Sequence, residues 1–580
     1  SMLKGESTLF RSTRDEMIWS LRGNVPIAPN DIERSVDADI KNKIKTFTFG
    51  PAFNSPIGEC CLPDTITTLI LGFDFNQDII VDTLPPSLTS LYIDTYYNNL
   101  IESGALPRSL LKLIFYNNFI YSSRRRQAPN KCRIPKLPRS LTHLEFGSCF
   151  NCPINAPGYL PESLTILQLG ESFNQYTFNS LSTLPQTVKR LSLGLGGNLV
   201  PQLTPGVLPT MLESLSVYQC DSPIMPGVLP PSLTLAVFFD YNQPLQHGSL
   251  PDSLTELLFI LNFNQELLPG VLPTSLLLLN LGARFAKPLH RGVLPPNLKT
   301  LIIEEDYLFK QRIDVGVLPQ TLKLLKLGDG NLMLGERVGP HSAGNVVYLD
   351  KVIAPMSLPS GITGLTLGGG FNNVLTSNDH LPDTLTELTL GRHFNYPIKT
   401  VLPQSITKIK FGDMFNQTIS PNTLPSSLIS VNFGHNFNLV ITLPDTLREL
   451  TIGGCYDKPL NLPPNLRTLR MYQLQQIKYV ASSVSTPDVI AINPIYGDQL
   501  QTYYQFDYNV IQVASILPFN SLSLEIKPSV SDDIPYRCET LLSTLKRIAR
   551  FTPNIAGYEL KCGIAQSSIR RLNHNLLLCI

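Results

Sequence analysis

The chain has 580 residues and a net charge of +1, with 46 lysines and arginines against 45 aspartates and glutamates. Only 16% of its residues are charged, so the composition gives no reason to expect nucleic acid or an anionic membrane surface as a partner. No apolar run approaches the roughly 18 residues of a membrane-spanning helix, and ten cysteines without an export signal are expected to be reduced thiols in the cytoplasm.

The segment 1–43 lacks the periodicity of the rest of the chain. Its opening Ser1-Met2 is typical of a tag remnant, so the natural start is expected at Met2 or later. Two stretches, 14–22 and 31–43, are predicted to be short helices. Because a repeat array exposes an apolar end, we expect the segment 1–43 to cap the first repeat.

From Ile44 to Tyr472 the sequence repeats itself. Leu-Pro pairs recur at eighteen positions from Leu62 to Leu462, mostly 19–24 residues apart. Each pair opens a block with the consensus LPxSLTxLxLGxxFNxPI, and Leu381–Ile398, LPDTLTELTLGRHFNYPI, is almost the ideal copy. The pattern predicts about 19 repeats of about 22 residues, a period typical of leucine-rich repeats.

The chemistry of one repeat follows from this near-ideal copy. In the segment LTELTL, Leu385, Leu388 and Leu390 are predicted to point inward and the residues between them outward. The glycine after the strand permits a tight turn. Phe394 then supplies an apolar anchor, and Asn395 supplies an amide that bonds to backbone groups of adjacent turns. Stacked repeats bury a continuous core beside a parallel sheet.

The block resembles the FNIP repeat, a leucine-rich-repeat variant of social amoebae and of giant viruses that infect amoebae. The Phe-Asn pairs that carry the resemblance begin at Phe53, Phe75, Phe150, Phe173, Phe263, Phe371, Phe394, Phe415 and Phe437. The period and the resemblance predict an α/β fold rich in strands, a right-handed, horseshoe-shaped solenoid with a parallel sheet on its concave face. Some relatives carry an F-box that recruits a ubiquitin ligase, but segment 1–43 lacks its Leu-Pro-led pattern.

Two insertions interrupt the period. Residues 117–136 add about nine residues and include the run Arg124–Arg126, which is either a solvated charge run or a contact for an acidic partner. Residues 328–357 add about eighteen residues, with a predicted strand at Val346–Leu349. Loops of such length are either functional or disordered.

The outward position between the two strand leucines is polar in most repeats but apolar in two regions. The first region contains Ile70, Tyr92 and Ile114, with Tyr116 nearby, and the second contains Val237, Leu258 and Ile302, flanked by Leu235, Phe239, Ile260 and Leu278. Adjacent apolar residues on neighbouring strands form a patch, which either another part of the chain covers or a partner binds. We take all of these residues except Leu235 and Leu278 as predicted partner-binding residues.

A charged column follows the strand glycine in three successive repeats. Arg392, Asp413 and His435 take the same position, and such positions on neighbouring strands lie about 5 Å apart. The pattern predicts a surface ion pair beside an imidazole, an arrangement of little energetic value. A ligand-binding role is the alternative.

Residues 473–580 leave the repeat and are predicted to form a small α+β domain or cap. Strands are predicted at Val489–Ile492, Val510–Ile516 and Leu522–Ile526, and the apolar spacing of Cys538–Phe551 predicts a helix. A structural cap, a second binding module and an enzyme are the open interpretations of this region.

No catalytic motif is present: the sequence contains no P-loop, GxSxG, HExxH or paired CxxC motif. Cys149 and Cys152 have zinc-like spacing but no second pair, so with Cys132 they are interpreted as packing thiols rather than a metal or redox site. The adjacent Cys60 and Cys61 cannot easily chelate one ion. We therefore predict no catalytic residue, no metal site and no cofactor.

The sequence thus favours a non-enzymatic scaffold that binds a protein partner through the concave face of the repeats. Neither nucleic acid nor a membrane is expected as a partner. The viral resemblance implies a host factor as the partner and the host cytoplasm as the location. Two alternatives stay open: a substrate receptor of a ubiquitin ligase, and a repeat-targeted enzyme with its activity in 473–580.

Overall fold

The computed structural model describes the following residues: 7–11, 17–21, 44–50, 53–58, 61–93, 97, 99–115, 136–148, 150, 154, 159–173, 184–194, 203–304, 313–328, 356–368, 381–398, 402–472, 476, 479, 489–496, 521–527, 557–562, 565–573 and 576–579. They belong to two compact bodies, an N-terminal body (Ser1–Gly282) and a C-terminal body (Ala283–Ile580). Within these described ranges no α-helix is present, and strands alternate with turns.

The N-terminal body contains a sheet whose strands follow the chain order. Its strands are β1 (Ser7–Arg11), β2 (Met17–Leu21), β3 (Ile44–Phe49), β4 (Thr68–Leu71), β5 (Ser90–Ile93), β6 (Lys112–Phe115), β7 (His143–Glu145), β8 (Ile166–Gln168), β9 (Arg190–Leu193), β10 (Ser214–Cys220), β11 (Leu235–Tyr241), β12 (Glu256–Phe259) and β13 (Leu278–Asn280). β1 and β2 are antiparallel, and from β2 to β13 each strand pairs in parallel with the next. The predicted parallel solenoid with one strand per repeat is confirmed.

The C-terminal body repeats this arrangement. Its strands are β14 (Thr300–Ile303), β15 (Leu324–Leu327), β16 (Gly364–Thr366), β17 (Glu387–Thr389), β18 (Lys408–Lys410), β19 (Ser430–Asn432), β20 (Glu449–Thr451), β21 (Thr468–Met471), β22 (Val489–Tyr496), β23 (Ser521–Lys527), β24 (Gly557–Cys562), β25 (Ala565–Asn573) and β26 (Leu576–Cys579). Neighbours from β14 to β24 are parallel, and β24, β25 and β26 form an antiparallel meander.

The helix predicted at 14–22 is wrong. Met17–Leu21 is strand β2, which pairs with β1 on one side and with β3 on the other. The free edge of β3 offers backbone hydrogen bonds that a short isolated helix cannot match, since such a helix is marginal in water. The other predicted helix, 31–43, lies outside the described residues.

The sheet continues past residue 472. β22 contains the predicted strand Val489–Ile492 and pairs in parallel with β21, and β23 contains the predicted strand Leu522–Ile526 and pairs with β22. The predicted strand Val510–Ile516 and helix Cys538–Phe551 lie outside the described residues, as does the insertion strand Val346–Leu349.

Each repeat buries its strand leucines and its Phe-Asn phenylalanine as predicted. Leu385, Leu388 and Leu390 are at most 1% exposed, and Phe394 is fully buried. Successive phenylalanines stack face to face, with ring centroids 5.8 Å apart for Phe394 and Phe415. Such stacks run through Phe53, Phe75 and Tyr97 and through Phe394, Phe415, Phe437 and Tyr456, so in these described repeats the ring of each repeat contacts that of the next.

The predicted asparagine bonds are also confirmed. Asn395 Oδ1 accepts the backbone N–H of Asn416 at 2.9 Å, and Asn416 Oδ1 accepts the backbone N–H of Asn438 at 3.0 Å. The same bond links Asn54 to Asn76 and Asn242 to Asn264. This asparagine ladder pairs backbone donors in turns that carry no strand partner.

Two further ladders of hydroxyl groups join the repeats. The Ser or Thr that follows each Leu-Pro-x donates its hydroxyl to the carbonyl of the buried leucine or isoleucine one repeat earlier, as Ser253 does to Leu233 at 2.6 Å and Thr384 to Ile362 at 2.7 Å. The threonine two residues further on donates to the corresponding carbonyl of the preceding repeat, as Thr386 does to Thr363 at 3.0 Å. These contacts explain why the two positions are hydroxyl-bearing in most repeats.

The glycine that follows the strand in most repeats allows the turns to stack closely. A Cβ atom at Gly412 would lie 1.8 Å from the carbonyl oxygen of Gly391, and one at Gly170 would lie 1.9 Å from that of Gly147. No side chain fits at such a distance, so the conformation of the turn requires glycine for space as well as flexibility.

Candidate protein-interaction surface

Three successive repeats of the N-terminal body depart from the glycine rule. Tyr218, Phe239 and Ile260 occupy the position at which the strand of most repeats is followed by glycine; Asp94, Tyr116, Glu304 and Tyr472 also replace it, but not in a run of three. In the first two of these repeats the strands lengthen too: β10 and β11 have seven residues each, whereas β12 keeps four, within the range of three or four found in β4 to β9 and β13. The position is therefore remodelled over several repeats together.

The extension of β10 and β11 follows from the space that glycine normally leaves. In the preceding repeat, a Cβ at Gly194 would lie 2.1 Å from the carbonyl oxygen of Gly170. A tyrosine or phenylalanine cannot enter such a turn, so the backbone stays extended and the pairing continues through Gln219 with Asp240. The side chains that replace glycine are left on the solvent face of the sheet.

The side chains gathered on this face are Tyr218, Val237, Phe239, Leu258 and Ile260, which we call the apolar platform. Val237 and Leu258 are in register on β11 and β12, and the rings of Tyr218 and Phe239 stack with centroids 4.7 Å apart. Ile260 lies beside them, since its N–H donates to the Phe238 carbonyl at 2.9 Å. All five side chains are half-buried.

The alternation along β11 and β12 separates the platform from the core. Ala236 and Leu257 are fully buried, and Phe238 and Phe259 are 1% exposed, whereas the residues between them face solvent. The register of the sheet is therefore the predicted one, with Val237 and Leu258 on the outer side. A shift by one residue would exchange the two sets.

Polar groups border the platform within the sheet. In the row of Val237 and Leu258, the flanking positions belong to the half-buried Ser216 on β10 and to Asn280 on β13, which is 4% exposed and accepts the Gly282 N–H at 2.9 Å. Beyond Phe239, the Asp240 carboxylate accepts a hydrogen bond from Asn262 Nδ2 at 2.7 Å. An apolar centre with a polar border is the usual anatomy of a protein interface.

Two titratable groups of this region have raised pKa values. Burial raises the pKa of Tyr218, a hydrogen bond with Ser192 opposes the rise, and the charges of Glu171 and Glu145 add to it. Burial likewise raises the pKa of the Cys220 thiol to about 11, so this thiol is protonated at neutral pH and is a poor nucleophile. The raised pKa values keep both the Tyr218 hydroxyl and the Cys220 thiol protonated at neutral pH.

The described residues also hold no metal cluster. Among them, no group of three or more His, Cys, Asp or Glu side chains is placed to hold an ion. Cys61 is buried and unbonded to another cysteine, while Cys60, Cys132, Cys149 and Cys152 lie outside the described residues. In the same ranges, no helix is long and apolar enough to cross a bilayer.

The first predicted apolar region is only partly as expected. Ile70 and Tyr92 are half-buried and in register on β4 and β5, but Ile114 is only 4% exposed instead of facing solvent. Ile114 lies in register between Tyr92 and Glu145, whose longer side chains flank it on both sides, and the Lys112 ammonium lies over the Tyr92 ring. Tyr116 lies outside the described residues.

Ile302 belongs to the C-terminal body, on β14. It is half-buried and pairs in register with Lys326 of β15. Within its own body it is therefore an apolar residue beside a cation, and it is not part of the platform.

Tyr218 was missed by the sequence-based prediction. It belongs to the platform because its ring stacks on Phe239, yet it sits one row away from the outward positions that were compared. The signal was present: the strand-ending glycine is replaced in three consecutive repeats, by Tyr218, Phe239 and Ile260.

The charged column in the C-terminal body has the predicted geometry. Arg392 Nε lies 3.6 Å from Asp413 Oδ2, and both side chains are more than half exposed. The His435 ring meets the Tyr472 ring edge-on, with centroids 6.3 Å apart. An exposed ion pair of this kind contributes little stability, and nothing in its geometry defines a ligand site.

One parallel strand per repeat, with columns of buried leucine and phenylalanine and an asparagine ladder, defines a solenoid of the leucine-rich-repeat type. CroV588, a giant-virus protein described as a circular LRR protein, is 28% identical, with a TM-score of 0.51 over 87% of this chain and 81% of that chain. YopM from Yersinia enterocolitica is 19% identical, with a TM-score of 0.35 over 74% of this chain and 80% of that chain.

The repeats themselves identify the family. The FNIP Repeat matches segments that together cover more than half of the chain, at residues 75–118, 133–172, 155–196, 241–284, 285–330, 350–393, 377–414, 394–436 and 415–455. The chain therefore belongs to the FNIP-repeat family, which confirms the predicted resemblance.

Two relatives come from Dictyostelium discoideum: a probable serine/threonine-protein kinase, fnkA, and an FNIP repeat-containing protein. They are 31% identical over 104 and 121 residues respectively, each match covering 16% of this chain. The chain spans 13% of the first relative and 23% of the second.

Proposed function

We propose that this chain is a non-enzymatic scaffold that binds a protein partner through the solvent face of its sheet, with the apolar platform at the centre of the contact. The observation that carries the proposal is the replacement of three successive strand-ending glycines by Tyr218, Phe239 and Ile260. Most other repeats carry glycine at this position, and Asp94 and Glu304 replace it with a polar residue, so the solenoid does not need apolar side chains there. A cluster of apolar side chains left in contact with water is expected to be covered by a partner.

The comparisons support a partner of amoebal origin. CroV588 is a giant-virus protein, and both curated relatives come from a social amoeba. The proposal therefore extends to a protein of the amoebal cytoplasm as the partner. The kinase activity in the name of one relative is not carried over, because the match spans only 13% of that protein.

The test replaces two platform residues with charged ones. In Val237→Asp/Leu258→Asp, we expect folding to change little, because both side chains lie on the solvent face. Partner binding is expected to weaken by several kcal/mol, since residues at the centre of an interface carry most of its energy. Affinity capture from Dictyostelium discoideum extract, read by mass spectrometry, and melting followed by circular dichroism measure the two effects.

A matched control comes from the C-terminal body. Thr366 and Thr389 are half-buried on the solvent face and in register on neighbouring strands, as Val237 and Leu258 are. Thr366→Asp/Thr389→Asp should capture the same proteins as the unaltered chain. A platform variant that unfolds would show that Val237 and Leu258 belong to the core, and one that stays folded and captures every protein would exclude the platform as the binding surface.

A further inference from the structure

The platform lies in a part of the chain that has no lysine or arginine. Between Arg190 and Arg284 the sequence contains no lysine or arginine, although 46 of the 580 residues are of these types. At that frequency, the 93 residues of this stretch would contain about seven. The same stretch contains the six carboxylates Glu213, Asp221, Asp240, Asp252, Glu256 and Glu266.

The structure places negative charge beside the platform. Glu256 is exposed on β12, in register between Leu235 and Leu278 and on the same face as Leu258. On the side of β10, the negative charges of Glu171 and Glu145 lie close enough to the Tyr218 hydroxyl to raise its pKa. Carboxylates therefore lie on two sides of the apolar side chains.

The nearest cations in the sheet are on β9 and just before it. Lys189 is paired with Glu213, Nζ to Oε1 at 2.8 Å, which leaves Arg190 at the first position of β9. β9 is separated from Val237 on β11 by the whole of β10. The field over the platform is thus set by carboxylates.

The solvent face of the C-terminal body carries cations as well as carboxylates such as Glu387 and Glu449. At the position of Val237 and Leu258, its strands carry Lys326, Lys410 and Arg470, and Lys408 lies one pleat before Lys410. The loss of cations is therefore a property of the platform region rather than of the repeat.

We propose that the partner segment that docks on the platform is cationic, with lysine or arginine side chains interspersed with apolar ones. This inference rests on the proposed function and names the chemistry of its partner. Apolar side chains of the segment would cover Val237, Leu258 and Ile260, while its cations would lie near Glu256 and Glu171 and over the rings of Tyr218 and Phe239. A polyanion such as nucleic acid would be repelled by the same carboxylates.

The experiment measures the binding of labelled peptides to the full chain by fluorescence anisotropy at low and high salt. Three fluorescein-labelled synthetic peptides are compared: one that mixes Arg and Lys with Leu and Phe, one with Glu in place of each cation, and one with Ser in place of each apolar residue. We expect only the first to bind tightly, and its affinity to fall as salt is added, because exposed charge pairs are screened.

Two matched charge variants locate the site. Glu171→Gln/Glu256→Gln should weaken binding of the cationic peptide roughly 3- to 10-fold, as expected for the loss of two exposed ion pairs. Glu387→Gln/Glu449→Gln is the control: these two glutamates begin β17 and β20 as Glu256 begins β12, and their removal should leave binding unchanged. Val237→Ser/Leu258→Ser should also weaken binding, because it removes the apolar contact without adding charge.

The outcomes separate this inference from the proposed function. Stronger binding of the Glu-containing peptide, lost in Val237→Ser/Leu258→Ser, would overturn the cationic partner and leave the platform as a binding surface. Equal affinity in Glu171→Gln/Glu256→Gln and in its control would overturn the inference, as would the absence of binding by any peptide. A second copy of the chain could instead cover the platform with its lysine-bearing face. Sedimentation velocity at the same concentrations would detect such a dimer, and a dimer formed through the platform would also overturn the inference.

Discussion

The repeats of β10 to β12 and those of β17 to β19 share one core and differ in one turn. Both bury a strand leucine or an equivalent apolar residue, and both join neighbours through hydroxyl and asparagine ladders. In the second set, the strands end at Gly391, Gly412 and Gly434, and the turns stack so closely that a Cβ at Gly434 would lie 1.8 Å from the Gly412 oxygen. At the platform three successive repeats replace this glycine together, whereas Glu304 replaces it in a single repeat between those of Gly282 and Gly328.

Breaking the glycine stack should have the largest effect. Gly412→Ala places a Cβ 1.8 Å from the Gly391 oxygen, so the turns must separate, and we expect a loss of about 4 kcal/mol in local stability. Gly292→Ala in the same body is the control, because its Cβ meets nothing within 4 Å and only the φ of +80° is strained, at about 1 kcal/mol. Hydrogen exchange around each site measures both, and equal effects would contradict the importance of the stack.

The phenylalanine column gives the next largest effect. Phe394 is fully buried against Phe415, so Phe394→Ala should reduce local stability by about 3–5 kcal/mol. The damage should reach the adjacent repeats first, because contacts run between neighbours. Phe239→Ala, which removes a half-buried platform ring, should have a much smaller effect on hydrogen exchange. Unchanged exchange around 381–415 in Phe394→Ala would reject the role of this residue as an anchor.

Removing an asparagine of the ladder should lower stability by a smaller amount, and by a similar amount in the repeats of β10 to β12 and of β17 to β19. Asn395→Ala removes the acceptor for the Asn416 N–H and for Gln417 Nε2, which should lower stability by about 1–3 kcal/mol. Asn242→Ala, which removes the acceptor for the Asn264 N–H beside the platform, should behave alike. Asn395→Asp keeps an acceptor and should lose less. Chemical denaturation measures all three, and a neutral Asn395→Ala would show that water replaces the bond.

The smallest expected effect is a pH dependence of stability in the repeats that carry the platform. Burial raises the pKa of Cys220 from 9.0 to about 11, so both states are protonated below pH 9 and the unfolded state ionises first above it. The free energy of unfolding therefore falls between pH 9 and pH 11, because in this window the thiol ionises in the unfolded state but stays protonated in the folded state. The free energy of unfolding, measured with urea, should decline less over this window in Cys220→Ala than in the unaltered chain, by up to about 2 kcal/mol.

Cys455→Ala is the control for this measurement, because Cys455 is exposed. Its unfolding free energy should decline with pH as that of the unaltered chain does. An identical decline in Cys220→Ala would contradict the effect of burial on the Cys220 thiol.

Much of the fold could be predicted because one pattern repeats many times. A leucine such as Leu388, a ring such as Phe394 and an amide such as Asn395 recur at fixed spacing, so errors at single positions do not disturb the assignment of inward and outward faces. The strand at Met17–Leu21 has no such support, and its structure depends on the edge of β3, which local sequence does not reveal.

The candidate site was only partly predictable. Val237, Leu258, Phe239 and Ile260 follow from the alternation of the strand and their apolar character. The contribution of Tyr218 and the extension of β10 depend on how closely the glycine turns stack, which is a property of three repeats rather than one. The burial of Ile114 depends on the lengths of its neighbours Tyr92 and Glu145, which a comparison of single positions cannot show.

The ladders have a consequence for how such a gene can change length. In each ladder a repeat donates to its predecessor and accepts from its successor, as the bonds from Thr386 to Thr363 and from Thr407 to Thr386 illustrate. Duplication or deletion of one whole repeat therefore leaves every donor with an acceptor, and natural chains can differ by whole repeats without losing a bond at the join. The three platform repeats are an exception, because their outer side chains form one surface only while β10, β11 and β12 stay adjacent, so they are expected to be inherited as a block.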